Sequence, residues 1–166
     1  MRKCAAFLGM AMLVFATAAC DGDGSGQRLV NPTPLATVGA ASRSFNIQAS
    51  DVATEAVTQS ACPVVPPFVG SVNVNIQAVD FPLSLSLVRM TFTDTVGLQA
   101  PAVTLPAPVM TRQFGSTLVA ARSQRTFFLE FPFGCGTSRN GTLLVVVVVT
   151  DPDGRETTRE MRLPVR

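Results

Sequence analysis

Eleven carboxylates, four cysteines and no histidine are the side chains in this 166-residue chain that could do acid, base or nucleophilic work, apart from its hydroxyls. The missing imidazole decides much of the chemistry. A serine or cysteine nucleophile needs a neighbouring base to take its proton, and histidine does this near neutral pH. Without one the serines have no evident activator, so hydrolysis by a serine or cysteine route is not expected. The carboxylates leave one enzymatic route open: two acids about 5 to 10 Å apart can flank a glycosidic bond as acid and base, or as acid and nucleophile. Asp51, Glu55, Asp80, Asp94 and Glu130 could be brought together by a fold, yet no spacing singles out two of them. The alternative is that they cap turns and keep strand faces solvated. A non-enzymatic role is therefore expected, with a carboxylate-based glycan hydrolase as the rival.

Metal chemistry has one candidate segment. Asp21-Gly22-Asp23-Gly24-Ser25-Gly26 opens like the acidic, glycine-turned loop of an EF-hand. The twelfth position, which needs a bidentate glutamate, is Pro32, the eighth is Arg28, and no amphipathic helices flank the segment. Glycine and serine here suit a flexible tether, and no metal or cofactor is expected. Asp151 and Asp153 could sit near a surface calcium ion, although a hairpin turn explains them, and the sequon Asn140-Gly141-Thr142 likewise reads as a turn.

The N-terminus carries its own signal. Arg2 and Lys3 precede an uncharged, mostly apolar run over 5–19 that ends in the small residues Ala16, Thr17, Ala18 and Ala19. This is the pattern of a secretory signal peptide, and it is short for a membrane span, which takes about 20 apolar residues. Removal of 1–19 takes Arg2 and Lys3 from the 13 basic residues and leaves 11 against 11 acidic ones, a neutral chain without lysine. Nucleic-acid binding rests on a basic surplus that displaces phosphate counterions, so no nucleic-acid partner is expected.

Thr17-Ala18-Ala19-Cys20 resembles the lipobox of bacterial lipoproteins. The resemblance implies cleavage before Cys20, a diacylglyceryl group on its sulfur, and a tether over 20–34. It also implies a place in the cell envelope, on a bacterial membrane facing the periplasm or the cell exterior. Several acyl chains on one cysteine hold a protein at a bilayer, where a single chain is marginal. A soluble secreted product, cut after Ala16-Thr17-Ala18, is the alternative. With Cys4 gone and Cys20 lipidated, Cys62 and Cys135 remain as an even pair in an oxidising compartment, and a disulfide between them is expected. Unbonded, they would be a metal or redox pair, which neither a Cys-x-x-Cys spacing nor a histidine supports.

The remainder, 35–166, has room for one core, and no segment shows a sustained helical period. Phe45, Ile47 and Ala49 alternate with polar neighbours, as do Val72, Val74 and Ile76, the pattern of strands with one dry face. Leu83, Leu85 and Leu87 share one parity while Met90 and Phe92 take the other, which predicts a bulge near Val88. Pro101, Pro106 and Pro108 cannot donate to a ladder and place 98–109 at an edge or in a crossing loop. Phe127, Leu129, Phe131 and Phe133 predict an aromatic strand. Five consecutive valines between Thr142 and Thr150 predict a central one. Asp151-Pro152-Asp153-Gly154 then turns the chain into a return strand with Met161, Leu163 and Val165 facing inward.

About seven such strands indicate a two-sheet all-β sandwich. The closing pattern of Phe-rich strand, Gly134-Cys135-Gly136, valine strand and Asp-Pro-Asp-Gly hairpin looks like the last strands of bacterial immunoglobulin-like domains. That likeness implies an immunoglobulin-like sandwich over 35–166. Sandwich loops commonly carry binding. The expected role is a lipid-anchored binding or structural module whose partners are the membrane and an envelope protein or glycan.

Overall fold

The computed structural model describes residues 44–166. The signal segment, Cys20, the tether and the first residues of the expected sandwich lie outside the described residues. Eight strands and one helix follow in chain order: β1 (Phe45–Ala56), β2 (Phe68–Ala78), β3 (Leu83–Asp94), β4 (Val103–Pro106), α1 (Ala107–Phe114), β5 (Leu118–Val119), β6 (Ser123–Phe133), β7 (Gly141–Thr150) and β8 (Glu156–Val165). They make two antiparallel sheets, β1-β2-β6 and β4-β3-β7-β8, with β5 also pairing β3.

The core follows from the parity of the strands. Val72, Val74 and Ile76 lie beside Phe127, Leu129, Phe131 and Phe133, and none of the seven is more than 2% exposed. The other sheet contributes Leu83, Leu85, Val88, Met90 and Phe92 from β3, and Leu143, Val145, Val147 and Val149 from β7. Each such side chain contributes about 1.5–3 kcal/mol relative to its exposed state. Phe92 and Phe133, with ring centroids 4.3 Å apart, join the sheets. Gly70 stands opposite Phe131 in register. A Cβ on Gly70 would lie 2.1 Å from the Phe131 ring, so the aromatic side chain occupies the space that glycine leaves.

The expected bulge is present slightly upstream of Val88. The β3–β7 register shifts between Leu85 and Leu87, which lets Leu85 and Val88 both point inward. β7 is central, between β3 and β8, and its outward Val146 and Val148 are half-buried. In the β7–β8 hairpin, Asp151 Oδ1 accepts the N–H groups of Asp153 and Arg155 at 2.9 and 3.0 Å. Gly154 has φ +78°, a conformation that costs a residue without Cβ little.

α1 corrects the expectation that no segment is helical. Its eight residues make about two turns, too few for an apolar period to show, and its prolines read as breakers. Proline is tolerated at the start of a helix, where the amide has no intrahelical partner. Pro106 is the N-cap, Pro108 sits in the first turn, and Gly115 ends the helix. Met110 is fully buried, and the Phe114 ring meets Phe127 edge-on at 5.3 Å. The helix links β4 to β5, which pair successive parts of β3. β4 is the edge strand that its prolines predict.

Candidate functional site

The β1–β2 and β6–β7 connections leave the first sheet side by side, because β2 and β6 are neighbours whose ladder ends at the pair Phe68 and Phe133. Cys62 lies in one connection and Cys135 in the other. A disulfide joins them, with Cα atoms 5.7 Å apart across 73 positions of sequence. The bonded reading of this pair holds, and the metal or redox reading does not. Around Cys62 the chain folds back on itself: Ala61 N–H donates to Val65 O at 2.9 Å and Val65 N–H to Ala61 O at 2.8 Å.

Two further side chains fix the same end. Asp94, at the end of β3, is 6% exposed. Its Oδ1 accepts the N–H groups of Val96 and Leu98 at 3.0 and 2.9 Å, and its Oδ2 accepts Ser138 N–H at 3.1 Å. One carboxylate thus shapes the β3–β4 turn and clasps the β6–β7 connection to it. Arg139 reaches the other way, donating from Nε and Nη2 to Thr54 Oγ1 at 3.1 and 3.0 Å and from Nη2 to Thr54 O at 3.1 Å. Thr54 Oγ1 in turn donates to the carbonyl of Arg166 at 3.1 Å.

Between the bridged connections and the approach to β4 lies an open cleft of about 350 Å³. Pro63, Val64 and Pro66 form one wall, Pro101 and Val103 another, and buried Phe133 lies among its lining residues. No residue lining it has an ionisable side chain. Prolines lack an N–H and hold φ nearly fixed, so the walls are stiff and offer few donors. The cleft suits an apolar group and has nothing to move a proton with.

Of the five candidate carboxylates, the side chain of Asp51, in β1, lies outside the described residues, and the other four are distributed as follows. Asp80 accepts the Ser44 hydroxyl at 2.7 Å, and Asp94 holds its two loops. Glu55 and Glu130 are exposed on the outer face of β1-β2-β6, two strands apart and offset by two residues. Strand geometry puts their backbones roughly 12 Å apart. Asp151 and Glu156 share a smaller cleft of about 230 Å³, but Asp151 Oδ1 is taken up by the hairpin turn. Among the described residues, no group of three or more histidine, cysteine or acidic side chains is placed to hold a metal ion. The sequence marks Cys62, Cys135 and the Asp151 turn. It does not mark Arg139, and it offers Asp94 only as one acid among five. A buried Asp followed by Thr-Val-Gly at the end of an apolar strand is a turn-capping signal that could have separated it.

The N–H donors, that of Ser138 foremost, favour the charged form of Asp94 and hold its carboxyl below the usual range, against the opposing effect of burial. A folded-state pKa depressed in this way contributes stability that is present above the unfolded value, about 3.9, and lost as pH falls through the folded one. Asp94→Asn is therefore expected to melt several degrees below the wild type at pH 7, with the gap closing as pH falls below about 4. Melting curves of both proteins from pH 7 to pH 2.5 check this; a gap independent of pH would show that the charge of Asp94 is not what holds the loops.

No known protein family and no curated protein matches the sequence. The fold does find solved relatives. The structural-genomics target SoR45 superposes with a TM-score of 0.51 at 14% identity, covering 72% of this chain and 85% of its own. A protein assigned as ApaA from Bordetella pertussis gives 0.51 at 15% identity, covering 73% of this chain and 93% of its own. At these identities the likeness is one of fold alone.

Proposed function

We propose that this chain is a lipid-anchored module of a bacterial cell envelope that binds, and does not catalyse, and that it takes an apolar segment of a partner protein into the cleft beside the Cys62–Cys135 bridge. The observation that carries the reading is the construction of that cleft: apolar, proline-walled, free of ionisable lining and held by a disulfide, an Asp94 clasp and an Arg139 clasp. Such bracing keeps a site in its bound shape and lowers the ordering cost of association. The export signal and the lipobox resemblance at Cys20 support the location. Strand order supports an immunoglobulin-like assignment, since β1, β2 and β6 stand where strands A, B and E would, and β3, β7 and β8 where C, F and G would. The bridge departs from the B–F position of antibody domains, because Cys62 precedes β2 and Cys135 precedes β7.

Two experiments test the proposal. Peptides selected on the full chain from a random library are expected to be rich in apolar residues and to lose at least tenfold in affinity when Val64, which is 84% exposed at the cleft, is changed to Asp. Retention of affinity by the variant would remove the cleft from the reading. For the anchor, bacteria expressing the wild type are expected to incorporate labelled palmitate into the protein and those expressing Cys20→Ala are not. Equal labelling would discard lipidation at Cys20.

A further inference from the structure

The outer face of the sheet β1-β2-β6 has an unusual composition for a strand surface. Side chains of opposite parity to the core run across it in register: Gln77 beside Gln124, Asn75 beside Thr126, and Asn73 beside Phe128. Asparagine is depleted in strands because it gains little from a pleated surface and competes with the backbone for hydrogen bonds. The outward side of the β8 hairpin strand shows the ordinary solution within the same protein, with Thr158, Glu160 and Arg162 solvating an edge. Among its described side chains the amide face has no arginine or lysine, and its acids, Glu130 and Glu55, lie toward one end. In its middle, Phe128 is 50% exposed, an aromatic ring held out of the core by strand parity.

From this arrangement we infer that the amide face is a binding surface for an extended, uncharged polysaccharide. Each amide offers both a donor and an acceptor, as each sugar hydroxyl does, so a row of amides can pair a row of hydroxyls without a net charge on either side. A phosphorylated or sulfated chain would call for arginine or lysine, which the face lacks. The negative face of an aromatic ring attracts the weakly positive C–H groups on the flat side of a pyranose, and Phe128 supplies that ring beside Asn73. Neighbouring strands stand about 4.8 Å apart, so the amides recur at close, regular steps across the sheet. Asn75 Nδ2 already donates to Thr126 Oγ1 at 3.2 Å, which fixes the orientation of one of these amides across the strand pair. This inference stands apart from the cleft and from the anchor, since it uses neither.

The test is co-sedimentation of the full chain, purified in detergent, with insoluble chitin, cellulose and isolated bacterial sacculi. Binding to at least one of the three is expected. Phe128→Ala and the double variant Asn73→Ala/Asn75→Ala are expected to weaken it at least tenfold with circular dichroism spectra unchanged, while Val64→Asp at the cleft binds as the wild type does. Chitin and cellulose read the face alone, whereas sacculi as the only positive would assign the ligand to the envelope. Failure of all three to pellet the wild type would overturn the inference and leave the cleft proposal standing. So would wild-type binding by both face variants, or loss of binding in Val64→Asp alone.

Discussion

Replacing Cys62 and Cys135 together by serine is expected to lower the free energy of unfolding by about 4 kcal/mol. The bond closes a loop of 73 positions, more than half of the described chain, and so removes a large share of the freedom that the unfolded chain would otherwise have. Domain stabilities of about 5–15 kcal/mol make such a loss decisive. The folded state is expected to change less, because Asp94 and Arg139 hold the same connections through hydrogen bonds of their own. Urea unfolding of the wild type, of the wild type under reductant and of the double variant checks this. The last two are expected to share a midpoint well below the first. Coincidence of all three curves would show that the bridge contributes nothing.

The second large effect is expected from Phe133→Ala. The ring lies 5.5 Å from Phe68, 4.3 Å from Phe92 and 5.4 Å from Phe131 by centroid, and the residue is 1% exposed. Truncation removes contacts on three sides and leaves a cavity that rigid strands cannot close, at a cost of about 3–5 kcal/mol. Phe128 is the control, since it is on the same strand with opposite parity and 50% exposed. Phe128→Ala is expected to change stability by about 0.5 kcal/mol or less. Chemical denaturation of both variants reads the contrast, and similar losses would mean that β6 does not present its faces as described.

Strand positions were legible because burial on one face imposes a period of two, which Val72 to Ile76 satisfy without interruption and Phe127 to Phe133 satisfy apart from Phe128, which is 50% exposed. The bulge in β3 was legible for the same reason, as an apolar parity that changes partway. α1 was not, because a two-turn helix held by Met110 and Phe114 carries no local signal stronger than the prolines at its start. The pairing of Cys62 with Cys135 could be read from cysteine count and compartment. The cleft beside it could not, since it depends on Pro101 and Val103 arriving from another sheet. Asp94 shows the same limit: its type and position are visible in the sequence, but its bond to Ser138, 44 positions away, is a product of tertiary structure. The amide face was written in the sequence as the polar half of two alternating strands, and only the β2–β6 register places Phe128 against Asn73.

Thr54, toward the end of β1, shares its hydroxyl with Arg139 and with the carbonyl of Arg166, whereas Ser44, just before that strand, bonds Asp80 in the turn between β2 and β3. The two ends of the twelve-residue strand are about 35 Å apart. Ser44 thus marks the end of β1 remote from the bridged loops, and Thr54 the end beside them. A protein fused behind Arg166, whose carbonyl is held by Thr54, would emerge beside those loops and crowd any visitor to the cleft.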